Sequence, residues 1–284
     1  MSHTTVLTCS LFSFIMSHCL PLFVTVAFQD GIRLAHKEEG FTAVHVIEHS
    51  SDVVNPSAPV FQSDISKFVE QMQKKDDRDL LGRIDAIHIS HRFTKADQNG
   101  QPQSCENKKW FSAFPALLRS TGALVGIFDT DEGVWTKEGM PHVRKILTDC
   151  IAAGYQVRVN VLRSCDYGDP HNWSRFVITA AKNYVPMPSN PLLCHGFDKF
   201  PCVTTRSVLD TCIKKKLALI GITADAEPSF SDNQNQIGNA VPAELFHAIA
   251  RSVRETLRHG YLEELEAKMT SMKVSDEENW LNEE

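Results

Sequence analysis

The sequence predicts an α/β fold, an open and mostly parallel doubly wound sheet, and three observations predict it. Apolar runs of strand length alternate with amphipathic helical stretches along the 284 residues. Two of those runs, Ile84 to Ser90 and Ala123 to Phe128, are short and largely apolar, the pattern of strands covered on both faces. A long late helix beginning at Pro242 carries Leu245, Ile249, Val253 and Leu257 along one stripe.

The remaining elements follow in chain order. Gly31 to Glu39 reads as a short helix ended by Gly40, and Phe41 to Ile47 as a β-rich run closing on the acidic Glu48. Asp64 caps a helix from Ile65 to Lys74 with Ile65, Phe68, Val69 and Met72 on one face. Pro141 opens a helix that runs through Ala153 and stops at Gly154. Tyr155 to Val161 then alternates strictly, apolar at Tyr155, Val157, Val159 and Val161, which predicts a half-exposed strand. Arg175 to Ala181 supplies the next strand.

Composition excludes whole classes. With 42% apolar and 23% charged residues, the chain is neither wholly disordered nor collagen-like. The formal charge of −6 belongs to the segment 262–284, which holds eight acidic residues and two lysines, so the body is neutral. No global basic field draws the protein onto a phosphate backbone. Eight cysteines without a C-x-x-C pair argue for a reducing compartment and against both a disulfide framework and a zinc site.

The start of the chain is anomalous, because Val6 to Phe28 is a run of 23 residues without a charge, sixteen of them apolar. That is long enough to span a bilayer. Ser10, Ser13, Ser17, His18 and Pro21 within it, and the lack of any preceding Lys or Arg, argue against a membrane anchor or exported leader. A buried pair of strands and a segment foreign to the domain stay open beside it.

Three sites carry chemistry on their residues alone. Glu48, an acid closing a strand after a glycine-bounded helix, suits the ribose hydroxyls of a nucleotide-like cofactor, although a strand-end Glu is also commonly just solvated. His88 and His91 lie three apart on and beyond a strand, where they point to opposite faces and cannot share a metal. In Gln236-Ile237-Gly238-Asn239-Ala240-Val241-Pro242, glycine allows close backbone approach and proline fixes a first helical turn. That segment reads either as a helix start holding a small polar ligand or as a plain turn and cap.

That heptapeptide resembles the C-terminal signature of the C5 cytosine DNA methyltransferases, and other pieces occur in the family's order. Asp30-Gly31-Ile32-Arg33-Leu34 through Glu39-Gly40-Phe41 is similar to the family's first helix, Val46-Ile47-Glu48-His49 to its second motif and Ser63-Asp64-Ile65 to its third. Ile84 to Ser90 resembles the strand leading into the catalytic loop, and Gly154-Tyr155 with Asp166-Tyr167-Gly168-Asp169-Pro170 the strand and turn before the Gln-x-Arg-x-Arg motif. The resemblance extends from about residue 30 to residue 258. It implies a methyltransferase fold that uses S-adenosylmethionine, held by Glu48, Asp64, Gly238, Asn239 and Ala240, and a DNA partner whose target cytosine is flipped out of the duplex.

The resemblance also locates departures. The family's Pro-Pro-Cys-Gln-Gly is expected directly after Ser90, where this chain reads His91-Arg92-Phe93-Thr94-Lys95, so there is no intact nucleophile, and Cys105 is out of register. Asp129 stands in place of the family's Glu, one methylene shorter. His171-Asn172-Trp173-Ser174-Arg175 replaces Gln-x-Arg-x-Arg and keeps Arg175 alone. The family's first motif, Phe-x-Gly-x-Gly-Gly, aligns with Val26-Ala27-Phe28-Gln29-Asp30-Gly31 and keeps one glycine, Gly31, and Lys214-Lys215-Lys216 is a run that either touches phosphate or faces solvent.

These readings divide the chain into the apolar segment 1–28, a methyltransferase-like domain of 29–182 plus 236–261, a reduced, truncated target-recognition region of 183–235 and an acidic tail of 262–284. By resemblance the activity is methyl transfer from S-adenosylmethionine to C5 of cytosine in DNA. The missing cysteine sets beside it a catalytically inactive pseudoenzyme or regulatory paralogue, or the product of a decayed gene. No metal and no membrane are expected, and the location is nuclear in a eukaryote and cytoplasmic otherwise.

Overall fold

The computed structural model describes residues 22–26, 30–48, 60–62, 65–74, 84–91, 93, 104–169, 172–196 and 242–260. Among them, β1 (Leu22–Val26), β2 (Thr42–Glu48), β3 (Val60–Gln62), β4 (Ala86–Ser90), β5 (Val125–Asp131), β6 (Tyr155–Arg163) and β7 (Ser174–Lys182) form one seven-stranded sheet. Its order is β3-β2-β1-β4-β5-β7-β6. Every neighbouring pair from β3 to β5 is parallel, while β7 is antiparallel to both β5 and β6. The order reverses between β1 and β4, which makes their carboxyl ends the switch point where such sheets bind ligands.

The helices are α1 (Asp30–Glu38), α2 (Ile65–Gln73), α3 (Ser104–Thr121), α4 (Met140–Ala152) and α5 (residues 243–260). Strand alternation decides which helix covers which face. Ile87, Ile89, Phe128 and Ile178 turn one way and pack with Phe68 of α2, Phe114 and Leu117 of α3 and Ile146 of α4. Ala86, Val125, Ile127 and Val177 turn the other way and meet Ile32 of α1 and Leu245, Phe246, Ile249 and Val253 of α5. The result is three layers, helices over both faces of a sheet.

The predicted elements stand within a few residues of their expected bounds, and three elements were not read from the sequence. β1 comes from the uncharged run at the start of the chain, so five residues of the segment set apart there stand in the sheet between β2 and β4. β3 is a short strand beyond β2. α3 holds Pro115 in its interior and buries Trp110, Phe111, Phe114, Leu117 and Leu118. The half-exposed character predicted for Tyr155 to Val161 is that of the sheet's edge strand β6.

Polar contacts at its start and along its length fasten α5 to the body. At its start the carboxylate of Asp169 accepts hydrogen bonds from the backbone amides of Glu244, at 3.3 Å, and Leu245, at 3.0 Å, so a residue from a distant turn caps the helix. Further along, the buried Glu39 at the end of α1 takes Arg251 at 2.8 Å and Arg254 at 3.0 Å. Most of the predicted recognition region, residues 197–235, and the acidic tail lie outside the described residues. No described helix is long and apolar enough to cross a membrane.

Candidate functional site

The carboxyl ends of β4 and β5 and the amino end of β7 converge on one buried carboxylate, that of Asp129. Asp129 faces Ser90 in the β4–β5 register, and Arg175 lies opposite Asp131 in the β5–β7 register, so Arg175 reaches Asp129 diagonally. Arg175 Nε donates to Asp129 Oδ2 at 2.8 Å, and a second guanidinium nitrogen donates to the same oxygen. The Ser90 hydroxyl donates to Oδ2 at 3.1 Å, and His88 Nε2 donates to Oδ1 at 2.8 Å. All four side chains point to the α1 and α5 face because strand positions two apart share a face.

Burial and charge oppose each other at this carboxylate. Asp129 is fully buried, which alone would push its pKa up, but the charge of Arg175 and the hydrogen bond from His88 outweigh that and hold it below the usual carboxylate range. Behind it, His88 makes an edge-to-face contact with His36 at 5.1 Å and a tilted one with Phe246 at 5.3 Å. His36 donates from Nδ1 to the Ile32 carbonyl at 2.8 Å. Burial first, and then the neighbouring His88, push the His36 pKa well below its ordinary value, so that ring stays neutral.

The chemistry available follows from the donors. Oδ1 and Oδ2 of Asp129 both accept, and Arg175 and His88 hold the group as an anion, so it braces three strands and is not poised to give up a proton. Asp131 is engaged elsewhere, its Oδ1 accepting from Gly133 N at 2.9 Å to cap a 3₁₀ turn. After Ser90 the chain turns over the other face, where His91 stacks on Trp110 with ring centres 5.2 Å apart. His88 and His91 thus lie on opposite sides of the sheet, and among the described residues no group of His, Cys, Asp and Glu could hold a metal ion.

No family model matches the chain, and no curated protein matches it in sequence. Among solved structures, a protein described as a DNA modification methyltransferase encoded within an Escherichia coli prophage superposes with a TM-score of 0.52 at 16% identity, over 67% of this chain and 54% of that one. The chain fits S-adenosylmethionine-dependent methyltransferases in fold. Two further methyltransferase structures are more distant. DNMT2 of Spodoptera frugiperda gives a TM-score of 0.46 at 14% identity over 64% of this chain and 57% of that one. EhMeth of Entamoeba histolytica gives 0.46 at 11% identity over 84% and 99%. The chain spans about half the length of the prophage protein.

Within the methyltransferase fold, the residues predicted for the site divide. Asp129 and Arg175, read as two separate motif pieces, are brought together, and His88 and Ser90 join them without having been foreseen as partners. The only sequence signal for those two was their position on the inward face of a strand. Glu48 closes β2 at the carboxyl edge, beside the switch strand β1. Asp64, Gly238, Asn239 and Ala240 lie outside the described residues, as do His171 and the Lys214-Lys215-Lys216 run. Cys105 stands in the first turn of α3, not on the strand end that leads to Ser90.

Proposed function

We propose that this chain is a pseudoenzyme of the C5 cytosine DNA methyltransferase type, one that holds S-adenosylmethionine and associates with DNA without covalent turnover. The observation that carries this reading is the state of Asp129. At the strand end where the resemblance expects an acid, the carboxylate is buried, and its two oxygens accept from His88, Ser90 and Arg175. A group held as an anion in this way gives no proton to a cytosine ring. Ser90 is followed by His91 packed on Trp110, with no thiol in the register where covalent addition to the base would begin.

The cofactor half of the reading rests on topology. An acidic residue ending β2 next to the β1/β4 switch point suits the ribose hydroxyls of a nucleoside, and Glu48 supplies it. By the resemblance, Asp64 would take the adenine, and Gly238, Asn239 and Ala240 would line the cofactor. S-adenosylmethionine supplies an electrophilic methyl group when bound. This chain's residues would bind and orient it, while Asp129, held as an anion by Arg175 and His88, would give no proton to activate a base for the methyl. The DNA half is supported by the prophage protein's description and the shared fold.

The test pairs calorimetric titration with S-adenosylmethionine and a covalent trap using a duplex that contains 5-fluorocytosine. The expected result is saturable cofactor binding that Glu48→Ala abolishes, with no adduct and no transferred methyl. An adduct, or methyl incorporated into DNA, overturns the loss of turnover. A flat titration of the unaltered chain overturns the cofactor half.

A further inference from the structure

The carboxyl edge of the sheet holds a second set of reactive side chains, outside the Asp129 cluster. β6 runs into a 3₁₀ turn, Ser164–Tyr167, whose Asp166 is gripped by Arg163 through Nε and a terminal nitrogen, both at 3.0 Å. The backbone carbonyl of Asp166 accepts from the amides of Cys194, at 3.2 Å, and His195, at 3.0 Å. The 194–195 dipeptide is thereby pinned on the turn. Gly168, at φ 100°, leaves room for the imidazole: a Cβ there would lie 2.9 Å from Cε1 of His195. With both backbone and ring placed, the Sγ of Cys194 lies 3.1 Å from His195 Nδ1.

We propose that Cys194, with His195 as its base, is a nucleophilic thiol that is oxidised by hydroperoxides. The pair has the two properties such chemistry requires, a proton acceptor within hydrogen-bond reach of the sulfur and an open path for the oxidant, since Cys194 is exposed. His195 takes the thiol proton, and the thiolate attacks one oxygen of the hydroperoxide. An S–O bond forms as the O–O bond breaks, and the imidazolium returns the proton to the departing oxygen. Sulfur is oxidised by two electrons to a sulfenic acid and the peroxide is reduced to an alcohol, or to water from hydrogen peroxide. A hydroperoxide fits as the reactant because it is small and is selected by reactivity alone, with no enclosing pocket needed.

The other cysteines with described side chains lack these properties. Burial pushes the Cys150 thiol up to about 12. Cys165 is buried and donates to Asn172 Oδ1 at 3.3 Å. The inference does not depend on the function proposed above.

The test uses the full chain and reads each cysteine separately by peptide mass spectrometry. Iodoacetamide alkylation of Cys194 should be half-maximal at least about one pH unit below the ~8.5 of an ordinary thiol. After limiting hydrogen peroxide, dimedone should add at Cys194 before any other cysteine. His195→Asn should lower the Cys194 rate about tenfold at pH 7 and return its midpoint to the ordinary value. An ordinary midpoint in the unaltered chain, dimedone adding first elsewhere, or an unchanged rate in H195N in a folded variant would each overturn the proposal.

Discussion

Arg175 binds Asp129 across the β5–β7 ladder, with Nε 2.8 Å from Oδ2 and the carboxylate removed from solvent. A buried pair of this kind has an asymmetric energy: its formation is nearly offset by desolvation, whereas removal of one partner leaves an uncompensated charge. Arg175→Met should therefore destabilise the fold by about 3–5 kcal/mol. The double variant Arg175→Met with Asp129→Leu should recover much of that, because it removes the stranded carboxylate as well. Urea denaturation of Arg175→Met, Asp129→Leu, the double variant and the parent checks both statements, and additive losses would refute the coupling.

A pH dependence follows from Asp169. Burial raises its carboxyl to about 7, with the amides of Leu245 and Glu244 pulling the other way. Its folded pKa exceeds its unfolded value near 3.8, so its favourable contribution is complete below pH ~4 and is lost as pH rises through about 7. The full swing is on the order of 4 kcal/mol. Asp129 and His36 have lowered pKa values and act oppositely, losing stability as pH falls. The quantity to measure is thus the difference between Asp169→Asn and the parent, which should shift in favour of the variant between pH 5 and pH 8. A difference that does not change with pH would refute it.

Glu39 ties the end of α1 to α5 through Arg251 and Arg254. Glu39→Ala should cost about 1–2 kcal/mol, at the lower end for such bonds because the half-exposed Arg251 regains water. Limited proteolysis should then cut within residues 243–260 before it cuts in β4 or β5. Cleavage that starts in the sheet would show that α5 is not held by this contact.

Gly126 on β5 lies directly beneath α3. A Cβ there would be 2.7 Å from Leu118 Cδ2 and 2.8 Å from Phe114 Cζ, both in the packed core. Gly126→Ala should destabilise by about 1–3 kcal/mol through overpacking. Adding Leu118→Ala should make the second substitution cheaper than it is in the parent, and thermal melts of the four proteins report the coupling.

How much was legible depended on how each residue acts. α4 and α5 were readable because Pro141 and Pro242 start them and one apolar stripe faces the core. β1 carries no alternation, being central and flanked by strands on both sides, so nothing in Leu22–Val26 separated strand from foreign segment. α3 was hidden by Pro115, which interrupts the helical pattern, and by aromatic residues dense enough to blur its stripe. At the site, Asp129 and Arg175 were visible as chemistry but their union was not, since strand pairing joins residues 46 apart. The role of His88 was equally hidden: its face could be read, its partner could not.

Because β7 runs against β5 and β6, the hairpin connection from Arg163 to Ser174 joins the two strands at the carboxyl edge of the sheet and decides where Arg175 arrives. Side chains alternate along the strand, so parity in that hairpin is decisive. One residue inserted there would either send Arg175 to the α2 and α3 face or force a bulge to keep it, whereas two would return it to the same face displaced by a full pleat. The carboxylate's partner is therefore specified by loop length as much as by the arginine itself.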